Sequence, residues 1–186
     1  MKANLANTLT WIRIAAIPVV AYCFFSTFEF SRPIAAVVFA LAAITDLLDG
    51  YVARRLGQTS KFGEFLDPVA DKLMVAVVLV LLVQSDPRVV VALTAAVIIG
   101  REITVSGLRE WMASIGERGN VAVSLGGKIK TTLQMVGIGL MVYRQPTFGI
   151  DIYELGFLLL LVAAGMTLWS MIVYLRAAWP SMARSD

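Results

Sequence analysis

Six apolar runs, separated by short breaks rich in Pro, Ser and Arg, dominate this sequence. They read as approximately Leu9–Thr27, Pro33–Leu56, Asp67–Ser85, Val89–Trp111, Lys128–Tyr143 and Tyr153–Trp179. About 20 apolar residues cross a bilayer as a helix, and a water-soluble core rarely needs such runs. The expectation is an all-α integral membrane protein with six transmembrane helices, one domain over residues 1–186, with membrane lipids as its solvent. A mean hydropathy of +0.79 points the same way. Ser31-Arg32-Pro33 opens the second run, where Pro33 suits a first helical turn. Ser85-Asp86-Pro87 and Arg144-Gln145-Pro146 mark later breaks, Pro180 is expected to end the last helix, and Pro18 to bend the first. The longest polar connection is Ser114–Gly127.

The chain contains no histidine, which excludes a Ser-His-Asp triad, a phosphohistidine and a histidine-ligated zinc site. Acid–base work falls to carboxylates, lysine or tyrosine. Cys23, the single cysteine, lies beside Phe24 and Phe25 and reads as a small buried hydrophobe. Trp11, Trp111, Trp169 and Trp179 fall near run ends, as interfacial anchors do. The first apolar run follows only Lys2 and lacks a small-residue cleavage site, so no cleavable signal peptide is expected.

Six spans put both termini on one side. That side receives Lys2, Arg13, Arg54, Arg55, Lys61, Lys72, Arg101, Arg109, Arg118, Lys128, Lys130, Arg176 and Arg184, thirteen of the sixteen basic residues. Only Arg32, Arg88 and Arg144 fall on the other. The positive-inside rule makes the basic side, with both termini, cytoplasmic.

Four aspartates on that side are the anomaly. They occur as Asp46-Leu-Leu-Asp49-Gly50-Tyr-Val-Ala53-Arg54, then eight residues, then Gly63-Glu-Phe-Leu-Asp67-Pro-Val-Ala-Asp71. One charge at the centre of a membrane span costs roughly 2.5–3.5 kcal/mol, so four reach the order of 10 kcal/mol. Asp46 and Asp49 share a helical face at i,i+3, continued by Gly50 and Ala53; Asp67 and Asp71 share one at i,i+4. Two helices joined by a short turn can therefore aim all four at one another. They cannot all stay ionised in contact without cations between them, and oxygen ligands favour magnesium or manganese over zinc. Gly50 and Ala53 leave room for a flat ligand, and Arg54 offers a planar fork to phosphate. Gly63 is expected to free the turn, and Pro68 to sit in the first turn of the third helix. The plainer account makes Asp67 an N-cap and pairs Asp46 and Asp49 with Arg54 and Arg55; it explains single residues better than the whole spacing.

The pattern D-x2-D-G-x2-A-R-x8-G-x3-D-x3-D is similar, without departure, to the signature of the CDP-alcohol phosphotransferase family. The resemblance implies a six-helix membrane enzyme that transfers a substituted phosphate from a CDP-linked donor to an alcohol and releases CMP. It further implies that Asp46, Asp49, Asp67 and Asp71 hold two divalent cations, Mg2+ or Mn2+, with Asp71 as the base for the attacking hydroxyl. Gly50 and Ala53 would border the cytidine and Arg54 the diphosphate, with Asn7 and Thr10 as further candidates for the CDP moiety. Two metals about 3.5–4 Å apart suit an in-line displacement, which needs positioning and charge neutralisation more than a covalent nucleophile.

Outside the signature, Asn7-Thr-Leu-Thr10-Trp-Ile-Arg13, Arg101 to Trp111 and Gly127-Lys128-Ile-Lys130-Thr131-Thr132-Leu-Gln134 resemble the bacterial phosphatidylglycerophosphate synthase branch of that family. That branch implies CDP-diacylglycerol as donor, sn-glycerol 3-phosphate as acceptor, a homodimer in the bacterial inner membrane and no nucleic-acid partner. A charged acceptor also fits the residues: Arg13, Arg101, Arg109, Lys128 and Lys130 are candidates for its phosphate. Arg101 and Arg109 stand about 80° apart on an ideal helix, and Lys128 follows two glycines at a helix start, where free N–H groups favour an anion. Topology alone explains many basic residues at helix ends, but Arg101 lies well inside its run and needs a partner: Glu102, an aspartate or a phosphate. Thr10, Ser106, Thr131 and Thr132 serve equally as ligands or as helix bridges. The competing readings are cardiolipin or inositol phosphate lipid synthesis within the family, a cation-coupled transporter, and a prenyltransferase. Transporters place such carboxylates nearer the midplane on broken helices, and a prenyltransferase needs a second aspartate-rich motif.

Overall fold

A computed structural model describes residues 5–56, 61–115, 125–147 and 149–182, leaving out the side chains of 5–7, 47–56, 61, 62, 64, 125–128, 177, 178 and 180–182. Its regular structure is helical: α1 Leu5–Phe25, α2 Ser31–Leu56, α3 Lys61–Ser85, α4 Val89–Ser114, α5 Leu125–Tyr143 and α6 Ile152–Met182.

The helices follow one another around a closed ring in the order α1, α2, α5, α6, α4, α3, and α3 also contacts α5 and α2 across it. Helix α3 is therefore the one best placed to carry chemistry. Its Val78, Leu79 and Leu82 are essentially inaccessible, and they meet Val20 of α1, Phe39 of α2, Ile98 of α4, Met141 of α5 and Leu160 of α6 in one core.

The tightest seam joins α5 to α6. A Cβ added at Gly137 would stand 2.8 Å from the Gly156 carbonyl oxygen, and one at Gly156 would stand 2.8 Å from that of Gly137. Two glycines let the backbones touch where apolar helices must rely on packing. By contrast, Gly100 and Gly107 face open space on α4, and Gly139 meets only Phe39.

The outer surface is apolar. Tyr22, Phe25, Val89 and Ile103 are each about two-thirds exposed or more, as side chains solvated by lipid would be. Among the described residues, three helices are long and apolar enough to cross a membrane: Thr8–Phe25, Val89–Ser114 and Ile152–Arg176. Helices α2 and α3 carry the aspartate motif, and α5, with 19 residues, carries Lys128 and Lys130.

Three local expectations are corrected. Helix α3 begins at Lys61, not Asp67, so Pro68 lies inside the helix and not in its first turn. Gly63 is a buried helical residue, not part of a turn. Helix α6 runs through Pro180 to Met182. Apolar runs mark where a helix is dehydrated, and helices α3 and α6 extend past that limit. Helix α1 continues through Pro18, and Cys23 is buried and free.

Candidate active site

The carboxylates gather at the end of the ring where α1, α3 and α5 begin. Asp46 on α2 lies within electrostatic reach of both Asp67 and Asp71 on α3. Helix α1 steadies two of them. The Thr10 hydroxyl donates to the Asp67 carboxylate. Arg13, 1 % exposed, places a guanidinium nitrogen 2.9 Å from Asp46. Asp67 is therefore a long-range acceptor inside a helix, not an N-cap.

This assigns Arg13 a different neighbourhood from the one expected. It sits against Asp46 and does not line the basic cavity described next. Asn7, Asp49, Gly50, Ala53, Arg54 and Lys128 belong to helices α1, α2 and α5, but their side chains lie outside the described residues.

Beside Asp71 opens a cavity of about 240 Å³, lined by Lys72 from α3, Arg101, Glu102 and Arg109 from α4, Lys130 and Gln134 from α5 and Tyr174 from α6. The 100° helical step explains the convergence: Arg101 and Arg109 are two turns apart on one side of α4, and Lys130 and Gln134 are one turn apart on α5. Arg101, 8 % exposed, pairs with Glu102 at 2.7 Å and donates to Ser170 Oγ on α6 at 3.2 Å. Its Nε has no hydrogen-bond partner among the described residues. The Arg109 guanidinium lies 5.8 Å from the Tyr174 ring centre. Lys72 donates to Ser106 Oγ, which donates in turn to the Glu102 carbonyl at 2.6 Å.

Four cations and two carboxylates face this space, so it favours an anion. Lys72, Gln134 and Tyr174 were not singled out from the sequence. Lys72 adjoins Asp71, and Gln134 stands four residues beyond Lys130, so helical spacing from the named residues reaches both. Tyr174 sits in the last apolar run and gives no such signal.

A second, almost wholly apolar groove of about 490 Å³ runs between α2 and α5, from Tyr143 and Val37 to Asp46. It shares Thr131 and Met135 with the polar cavity, so the carboxylates stand between an apolar groove and a basic pocket.

Among the described residues no group of three or more carboxylates is close enough to hold a metal ion, and Asp49 lies outside them. The donor chemistry nonetheless fits a hard divalent cation: oxygen-only ligands, mutually repelling, two already held by Thr10 and Arg13.

A family model described as CDP-alcohol phosphatidyltransferase matches residues 3–175. The chain belongs to that family. Relatives named CDP-diacylglycerol–glycerol-3-phosphate 3-phosphatidyltransferase cover nearly its whole length. That of Pseudomonas fluorescens is 50% identical over 180 residues, 96% of this chain and 92% of its own. Those of Yersinia enterocolitica and Salmonella choleraesuis are each 46% identical, covering 98% and 96% of both chains respectively. A CDP-alcohol phosphatidyltransferase is a phospholipid-synthesising transferase, and the family generally uses divalent metals.

Proposed function

We propose that this chain transfers the phosphatidyl group of CDP-diacylglycerol to sn-glycerol 3-phosphate, forming phosphatidylglycerophosphate and CMP. The observation that carries the reading is the pairing of two spaces at the aspartates. An apolar groove ends at Asp46, and a basic pocket opens at Asp71. A lipid-linked donor and a phosphorylated acceptor need such neighbours, and the relatives carry the name of that reaction.

In this reading, acyl chains occupy the groove between α2 and α5. Asn7, Thr10, Gly50, Ala53 and Arg54 surround the cytidine diphosphate. Arg101, Arg109, Lys128 and Lys130 neutralise the acceptor phosphate and so orient its hydroxyl toward Asp71. Arg13 acts on the other side, balancing the charge of Asp46. Asp46, Asp49, Asp67 and Asp71 would hold two divalent cations, Mg2+ or Mn2+, which supply charge neutralisation at the diphosphate and acidify the attacking hydroxyl. Asp71 accepts the proton of that hydroxyl, and CMP leaves as the phosphodiester forms.

The same reading includes six spans, both termini and the active site on the cytosolic side of an inner membrane. It is supported by the clustering of Arg32, Arg88 and Arg144 at the end away from the aspartates. It also includes a homodimer, for which the exposed small residues of α4 offer a close-packing face.

The test is an acceptor assay on purified protein with CDP-diacylglycerol, following CMP and lipid product. Glycerol 3-phosphate should give product only with Mg2+ or Mn2+ present, and chelation should abolish it reversibly. Product from phosphatidylglycerol or an inositol phosphate, with none from glycerol 3-phosphate, would overturn the acceptor.

A further inference from the structure

Gln134 is only 5 % exposed, it lines the cavity beside Asp71, and its carboxamide makes no hydrogen bond to any described residue. Its amide atoms open into that cavity and not into packed side chains, so their partner is whatever the cavity holds. The chemistry of its neighbours says which part of a ligand. Lys72, Arg101, Arg109 and Lys130 can only donate, and Asp71 and Glu102, when ionised, can only accept. A carboxamide does both, and so does an alcohol. Thr131 and Tyr174 also both donate and accept, but Thr131 is exposed and already engaged, and the Tyr174 ring carries Arg109.

Glycerol 3-phosphate has three polar parts. The cations meet the phosphate, and Asp71 meets the primary hydroxyl that attacks. The secondary hydroxyl is left without a partner. We propose that Gln134 hydrogen-bonds the non-reacting secondary hydroxyl of the acceptor, making it a specificity-determining residue for a phosphorylated vicinal diol over a simpler phosphorylated alcohol. The inference rests on the acceptor reading above. Position agrees with the chemistry: Gln134 stands one helical turn beyond Lys130 and lines the same cavity as Asp71.

A site built to hydrogen-bond a hydroxyl rejects an analogue lacking it, because its own buried group is then left unpaired. The probe is 3-hydroxypropyl phosphate, which keeps the phosphate and the primary hydroxyl and lacks the secondary one. Wild-type protein with CDP-diacylglycerol and Mg2+ should prefer glycerol 3-phosphate by about ten- to a hundredfold in kcat/KM. Gln134→Met and Gln134→Leu should erase the preference, the value for glycerol 3-phosphate falling while that for the analogue holds or rises. Gln134→Glu, of the same size and polar, should retain part of the preference. A wild type that does not discriminate overturns the proposal without need of any variant, and so does an equal loss on both acceptors. Wild type that reacts with neither, but with another alcohol, refutes the acceptor reading instead.

Discussion

Where α3 gives way to α4, Asp86 accepts from the Tyr153 hydroxyl at 2.6 Å and pairs with Arg88 at 2.8 Å, and Arg88 also reaches Glu154 at 2.8 Å. The neighbouring Arg144 stacks on Tyr153 and donates to the Ser85 carbonyl. At the other end of the same helix, Asp71 is near the like charges of Asp46 and Glu102, and among the described residues Lys130 forms no ion pair and the Gln134 carboxamide no hydrogen bond. Both ends draw on the same residue types. Asp86, Arg88 and Glu154 pair with one another at the far rim. The aspartate end pairs only part of its set, Arg13 with Asp46 and Arg101 with Glu102, and leaves Asp71 beside like charges and Lys130 without an ion pair among the described residues. Packing gives no reason for that incomplete pairing, and it is what the proposed ligand site would account for.

Substituting one carboxylate at each end breaks the comparison most sharply. Asp71→Asn should lower product formation by about a thousandfold or more, the scale of a lost general base, while melting no earlier than wild type. It removes one of several repelling charges, so stability has no reason to fall. Asp86→Asn should do the reverse: an earlier melt in detergent, with activity per folded protein within about twofold. Equal effects on stability and activity at both ends would remove the distinction.

The aspartates were legible because charge is rare in apolar sequence, and helical spacing sufficed to put Asp67 and Asp71 on one face. The six helices were legible for the same reason. The ends of α3 and α6 were not, because apolar runs report dehydration and helix backbone continues beyond it, back to Lys61 in α3 and through Pro180 in α6. The partners were not legible either. That Arg13 would pair with Asp46 depends on α1 packing beside both α2 and α3, which no local pattern encodes.

A second comparison sets Arg101 against Arg88, two arginines each held by a carboxylate. Arg101 is buried and fixed by Glu102 and Ser170, with its Nε open. Arg101→Lys keeps the charge and loses the planar fork. It should raise KM for glycerol 3-phosphate about tenfold or more with a smaller change in kcat. Arg88→Lys should leave both constants unchanged. Acceptor titrations at saturating CDP-diacylglycerol separate the two.

The α5–α6 seam tests whether the site depends on packing from a distance. Gly137→Ala puts a methyl group 2.8 Å from the Gly156 carbonyl oxygen, where backbone must yield. The expected loss is about 1–3 kcal/mol, the usual cost of overpacking. Gly165→Ala, on the same helix pair with nothing within 4 Å, should change stability by no more than about 1 kcal/mol in either direction. Because α5 carries Lys130 and Gln134, Gly137→Ala should also weaken acceptor binding, and Gly165→Ala should not.

The smallest expected effect lies at the paired rim and concerns pH. The Arg88 side chain, helped by the Tyr153 hydroxyl, holds the Asp86 carboxyl down at about 2, against burial that acts the other way. A carboxyl depressed in the folded state stabilises that state fully above its unfolded value, near 3.9, and loses the contribution as pH falls through about 2. The melting difference between wild type and Asp86→Asn should therefore be constant from pH 7 to 5, narrow from about pH 4 and close near pH 2. Melting curves of both proteins across that range measure it. A difference that persisted unchanged to pH 2 would mean that Asp86 acts there through shape and neutral hydrogen bonding, and the pairing at this rim would then not be one of charge.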